Sequence, residues 1–421
     1  RDQPVLYLEP DCADLPYLLR AYFSWKMGLP FAYQRCSRGG PGRPPSCHSP
    51  TTNMSPREID DDVGAFVQFA NRRVRSGVHS ASARTHPEDN QTDFYPVALS
   101  RDSLRPGTVF ADPYGHLLII VKWIPQDIDS YGILIGADAQ PDGTVGRRRF
   151  WRGSFLFHPE TDDVGAGFKA YRPLIRTSSG VIPEYRWLDN EHLLTNERYT
   201  PFSLAQYQGT TNDFYDQMGR LINPRPLDPF AMQLSLIDAL EESVSRRVTS
   251  VQNAENFMEE RDYADIDMPE GVSIFQTSGP WEDYSTPSRD MRLLIAIDTV
   301  MRFPDLVRDN PADYGLVPTI ENPLDAIVSH LRADLRRELE TRTFDYSRSD
   351  GTAYRLTLLQ LTDRKVQLEM AYNPNDCVEL RWGASPSTTE WETCQRRAPE
   401  FQTERMTSYR PWFETRQRPV R

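Results

Sequence analysis

Gly115-His-Leu-Leu-Ile-Ile-Val-Lys-Trp123 is the stretch on which the fold turns. A short apolar run opened by glycine and rich in β-branched residues predicts a buried strand. Upstream, Leu104-Arg-Pro-Gly-Thr-Val-Phe110 reads as a turn leading into a strand. Downstream, Tyr131–Ala137 and Arg148–Phe157 read as two more strands. Pro113-Tyr-Gly115 and Asp142-Gly143 supply turns between them, so an antiparallel sheet is expected.

Helices precede this sheet. Pro10-Asp-Cys-Ala-Asp-Leu-Pro-Tyr-Leu-Leu-Arg-Ala-Tyr-Phe-Ser-Trp-Lys-Met-Gly-Leu-Pro30 predicts an amphipathic helix over 11–29, opening on Cys12. Leu15, Leu18, Leu19, Tyr22, Phe23 and Met27 recur at helical spacing. Asp11 suits the N-cap, and Gly28 with Pro30 ends the helix. Asp60–Val78 predicts a second helix, with Val63, Phe66, Val67, Ala70 and Val74 on one face. Helices followed by an antiparallel sheet make an α+β order.

The second half changes character. Leu227–Val251, Arg289–Phe303 and Pro323–Glu340 carry helical patterns. Tyr354–Leu361 and Lys365–Ala371 alternate like a short β-hairpin around Thr362-Asp363. The expected division is an α+β domain over 1–195, a helical domain over 196–350, and a hairpin with a disulfide-clipped extension over 351–421.

Five cysteines constrain the chemistry. Cys36 and Cys47 flank a Gly/Pro-rich loop, and Cys377 and Cys394 bracket a turn-rich segment. Short loops close easily, so proximity pairs Cys36 with Cys47 and Cys377 with Cys394. Cys12 is the odd cysteine. At a helix N-terminus the backbone N–H groups and the dipole favour its thiolate, the attacking form. The structural alternative is a buried, inert thiol.

The chain starts at Arg1 rather than Met, which with two disulfides points to an exported protein, periplasmic or extracellular, with its signal peptide removed. The longest apolar run, Leu117–Val121, is far too short to span a membrane. A net charge of −12 argues against non-specific nucleic-acid binding. Arg147-Arg-Arg149 is a local basic patch that reads best as an exposed hairpin edge. Metal-ligand spacings of the His-x-x-x-His and Cys-x-x-Cys kinds are absent, and Asp60-Asp-Asp62 reads as a helix cap. No Gly-rich phosphate loop precedes a helix, so no cofactor is expected.

His116 alone among seven histidines opens a strongly apolar strand, which would hold its imidazole rigidly enough for a general base. The plainer alternative is a hydrogen-bonded structural histidine. If strands 115–123 and 131–138 pair antiparallel, the end of the second lies beside His116. Asp138 would then orient the ring, or Gln140 would do so without the charge. Asp138 could equally cap the turn before Pro141-Asp-Gly143.

Cysteine at a helix start, histidine opening a strand and a polar residue on the next strand resemble the papain-like cysteine hydrolase superfamily. Asp11-Cys12-Ala-Asp14 looks like the cysteine helix of its NlpC/P60 and transglutaminase-like branches. Leu104-Arg-Pro-Gly107 followed by Gly115-His116 and apolar residues looks like the NlpC/P60 pattern, whereas Asp138 as third member is closer to the transglutaminase-like order. The resemblance covers roughly residues 5–175. It implies a cysteine helix packed on an antiparallel sheet and a Cys12–His116–Asp138 mechanism. It also implies an oxyanion hole that includes the Cys12 backbone N–H, aided by Tyr7 or Tyr114. Tyr114, Gln140 and Trp151 are the candidate binding residues. The function expected is amide hydrolysis in peptidoglycan stem peptides. The helical half would then dock an envelope protein partner or cover the site. The alternatives are a transglutaminase-like amidase or cross-linker acting on proteins, and an inactive envelope scaffold.

Overall fold

The computed structural model describes residues 8, 10–39, 43–53, 62–113, 115–127, 130–140, 144–157, 165–178, 184–317, 319 and 323–419. The chain divides into two compact units, Arg1–Trp151 with Phe155–Pro224, and Arg152–Ser154 with Arg225–Arg421. Both helices and sheet are present, in an α+β arrangement.

The first unit begins with α1 (Asp14–Met27), the short pair β1 (Ala32–Tyr33) and β2 (Thr51–Thr52), and α2 (Asp62–Phe69). Its sheet contains β3 (Phe94–Pro96), β4 (Val109–Ala111), β5 (Leu117–Ile124), β6 (Ile133–Ala139), β7 (Val145–Arg149) and β8 (Gly167–Tyr171). The spatial order is β3-β8-β4-β5-β6-β7, antiparallel throughout. The pair β9 (Leu174–Arg176) and β10 (Tyr185–Trp187) and the helices α3 (Asn190–Thr195) and α4 (Thr211–Ile222) follow.

Strand alternation assigns each face of the sheet its cover. Val109, Ala111 and Leu117 pack with Tyr17, Leu18, Ala21 and Trp25 of α1. Phe110, Leu118, Ile120 and Leu134 pack with Phe155, Phe157, Phe214 and Met218. Each large apolar side chain fully buried this way contributes about 1.5–3 kcal/mol. Trp25 stacks on Phe66 with ring centroids 4.6 Å apart, which ties α2 to α1.

Two strand and helix expectations are corrected here. The second helix is α-helical only over Asp62–Phe69 and widens into a π-turn over Ala70–Val74; Asp60 and Asp61 lie outside the described residues. The strand expected over Arg148–Phe157 ends at Arg149, because Phe150–Phe157 turns back to plug the core with Phe155 and Phe157. As expected, Leu104–Phe110 is a turn through Gly107 that leads into a strand, Val109–Ala111.

Asp93, just ahead of β3, joins α1 to the sheet. Tyr17 Oη donates to its Oδ2 at 2.8 Å and the Gln34 N–H donates at 3.1 Å. Burial pushes its carboxyl up from 3.8 to about 7, against the hydrogen bonds from Gln34 and Tyr17 and the charge of Arg172. The folded state therefore holds a proton that the unfolded state has lost between pH 4 and 7, and stability falls as pH rises through that window. Asp93→Asn keeps an acceptor for both donors and removes the titration. Its stability relative to the parent should rise by about 2–3 kcal/mol between pH 5 and 7, read by denaturant melts at both values. An equal difference at the two pH values would refute this.

In the second unit, α5 (Pro229–Glu260) is capped by Asp228, whose side chain accepts from the Ala231 N–H, and has proline at its first position. It is followed by α6 (Pro280–Tyr284), and α7 (Pro287–Asp309) and α8 (Leu324–Thr341) pack against it. Leu236, Leu240, Leu294, Ile297, Leu331 and Leu335 are buried among them. Arg247 of α5 makes a two-pronged pair with Asp290 of α7 at 2.8 and 2.9 Å, both side chains almost fully buried. Among the described residues no helix is long and apolar enough to cross a membrane.

The C-terminal hairpin differs from the expectation. Its strands are β11 (Thr343–Ser347) and β12 (Ala353–Thr357), paired antiparallel. Leu358–Asp363 and Lys365–Leu368, which alternate in sequence, form α9 and α10 instead. The reason is local: Thr357 and Gln360 make a reciprocal capping box that starts a helix where the alternation predicts a strand. Cys377–Cys394 is bonded and brackets two short helical turns, α11 (Val378–Arg381) and the 3₁₀ turn Thr389–Thr393. Helix α12 (Glu400–Glu414) completes the unit.

Candidate active site

Cys12 lies in the turn just ahead of α1, which begins at Asp14 rather than at the cysteine. Asp11 Oδ1 accepts from the Ala13 and Asp14 N–H groups at 2.8 and 2.9 Å, so Asp11 caps the helix from one turn outside it. Pro16 falls in the first turn, where a missing N–H leaves no intrahelical bond broken. Cys12 is half-buried and outside both disulfides, and Cys36–Cys47 forms the other bridge.

His116 stands at the mouth of the β4–β5 hairpin. Its carbonyl accepts from the Asp112 N–H at 2.8 Å, and the Gly115 N–H donates to the Asp112 carbonyl at 3.2 Å. Gly115 adopts φ +101°, a conformation that side-chain-bearing residues avoid, which explains the glycine ahead of the histidine. Arg84 donates to the Pro113 carbonyl at 3.0 Å and pins this turn.

The helix and strands are joined directly beneath these residues. Leu15, Ile119 and Ala139 form a small buried cluster, with Leu19 and Ala137 against it. Thus the residue one turn after Cys12 touches neighbours of His116 and Asp138. The turn also brings Cys12 Sγ within 3.9 Å of the Gly115 carbonyl, the group next to His116.

Pairing of β5 with β6 sets Ile119 opposite Ala137. Continued to the strand ends, that register puts Asp138 and Gln140 beside His116. His116 Nε2 is 2.7 Å from Asp138 Oδ2 and 3.3 Å from Gln140 Nε2. Gln140 Nε2 also donates to Asp138 Oδ2 at 2.8 Å. Asp138 is 1% exposed, so its charge depends on these partners. Burial works against that charge. The guanidinium of Arg148 and the hydrogen bond from His116 outweigh burial and hold the carboxyl at about 2, below the ordinary 3.8.

Arg148 escapes the sequence reading. Within Arg147-Arg-Arg149 on edge strand β7, Arg148 Nε donates to Asp138 Oδ1 and Oδ2 at 2.9 and 2.8 Å. The pairing of Asp138 with Gly146 turns one arginine of the three toward Asp138.

Trp151 is buried just beyond β7, its carbonyl accepting from the Phe155 N–H at 3.0 Å. Tyr7 and Tyr114 lie outside the described residues. Among the described residues, Cys377, Glu379 and Cys394 bring potential metal ligands within 4.8 Å of one another; the two sulfurs are bonded to each other. Glu379 is occupied by the Ser349 N–H and hydroxyl and by Thr393. Searches of protein-family models, curated proteins and solved structures each return no match to this chain.

Proposed function

We propose that the chain is an exported bacterial thiol hydrolase of papain-like design that cleaves amide bonds in peptidoglycan stem peptides. The observation that carries the reading is that the Cys12 sulfur and the His116–Asp138 pair meet at one hairpin turn. Cys12 from the α1 turn lies against the residue preceding His116, and His116 is held by Asp138 at 2.7 Å. The two disulfides support an oxidising compartment.

In this mechanism the Cys12 sulfur attacks the amide carbonyl carbon. His116 takes the thiol proton on Nδ1, since Nε2 is engaged by Asp138, and passes it to the leaving amine. Water, deprotonated by the same imidazole, then cleaves the thioester. Asp138 fixes the ring and stabilises the imidazolium.

A second reading is favoured by one distance pattern. The carboxylate of Asp138, and not the amide of Gln140, makes the shorter contact to His116. That is the transglutaminase-like order, which would transfer an acyl group from protein glutamine to an amine. The test is incubation of the full chain with stem peptides, and separately with a glutamine-containing protein plus a labelled primary amine. Products are read by mass spectrometry. Hydrolysed stem peptide that disappears with Cys12→Ala supports the first reading. Incorporated amine supports the second. Turnover that survives in Cys12→Ala, or none on either substrate, sinks the thiol mechanism.

A further inference from the structure

We propose that Arg148 is a positioning residue that fixes the Asp138 carboxylate as the hydrogen-bond acceptor for His116 and offsets its charge. The inference rests on the Cys12–His116–Asp138 reading above.

The geometry of the hairpin carries it. Asp138 pairs with Gly146 and Gly136 with Arg148, so Arg148 sits diagonally from Asp138 on the same face. Both cross-strand partners are glycine. A Cβ on Gly146 would lie 3.7 Å from Asp138 Oδ1, so the carboxylate fills the space beside that bare backbone. Arg148 Nε reaches both carboxylate oxygens, and its side chain is 17% exposed while Asp138 is 1% exposed. Gln140 closes the group by donating to Asp138 Oδ2. The carboxylate can then neither rotate nor take up a proton without breaking these bonds.

Charge is the functional consequence. A lone buried carboxylate against the imidazole would strongly favour imidazolium and make His116 a poor acid. The guanidinium on the far side cancels much of that field. The Asp138–Arg148 pair then favours the imidazolium less than a lone carboxylate would, and orients the ring more firmly. The other titratable groups on the elements meeting here are Asp112 in the turn, Asp11, Cys12 and Asp14 at the start of α1, Lys122 on β5, and Arg147 and Arg149 on β7. Arg147 and Arg149 alternate to the opposite face of β7 from Arg148, and Asp14 Oδ2 lies 3.6 Å from Arg75 Nε.

The test is the titration of the His116 ring, followed by NMR in the full chain, for Arg148→Ala, Arg148→Gln and Arg148→Lys. The first two should raise the pH at which His116 loses its proton by about one unit. Arg148→Lys, which keeps the charge, should restore the parent titration to within a few tenths. An unchanged titration in Arg148→Gln overturns the proposal, as does a shift that Arg148→Lys does not reverse. If Arg148→Ala does not fold, the Gln and Lys variants carry the comparison. Iodoacetamide labelling of Cys12 in the parent chain separates the two claims. Ordinary thiol behaviour there sinks the triad, whereas the His116 titration still decides the role of Arg148.

Discussion

His116→Ala is expected to lower kcat/KM for amide hydrolysis by about a thousandfold, with the chain still folded. The imidazole does two jobs in the proposed cycle: it removes the Cys12 proton and protonates the leaving amine. His116 sits at a hairpin mouth, its ring nearly buried but its backbone bonds made by carbonyl and N–H groups that alanine keeps. The loss should therefore fall on the rate and hardly on stability. It should also fall on kcat more than on KM, because the ring acts on the reacting atoms. Steady-state kinetics with thermal melts of both proteins check this. A loss below about tenfold would remove His116 from the role of base.

Asp138→Ala should affect both rate and stability. Removing the carboxylate strips His116 of its carboxylate partner at Nε2 and leaves the Arg148 guanidinium without its anion in a mostly buried position. Breaking such a pair from one side costs about 3 kcal/mol, mainly through the stranded charge. The ring would also lose its orientation, with a further rate loss of about a hundredfold. The pH dependence has a definite sign. The folded carboxyl lies at about 2, below its ordinary 3.8, so its stabilisation is complete above pH 4 and disappears as pH falls toward 2. That share is about 2 kcal/mol. Acid melts of the parent should show it, and Asp138→Ala should lack it. Parallel acid melts of the two proteins would refute the account.

Much of this site could be read from local pattern. The run after Gly115 marks a strand because an unbroken apolar stretch has to be buried, and the turn signals around it imply antiparallel neighbours. Asp138 follows from that pairing alone, since period-two alternation and a short connection set which strand ends meet. Arg148 did not follow. Three consecutive arginines look like a solvated edge, and only the register across the β6–β7 turn distinguishes the middle one. The hairpin near the C-terminus misled for a different reason. Tyr354–Leu361 alternates, but the Thr357–Gln360 capping box outweighs that weak pattern and commits the chain to a helix. The sheet order also lay beyond reach, because β8 enters between β3 and β4 from a distant part of the sequence.

The central claim is that Cys12 and His116 work as one ionising unit. Iodoacetamide labelling of the native, unreduced chain across pH, read by mass spectrometry, tests it most directly. The account predicts that Cys12 reacts with an apparent pKa well below the ordinary thiol value of about 8.5, and that His116→Ala returns it to that value. A Cys12 that stays inert at every pH, or titrates as an ordinary thiol in both proteins, would contradict it.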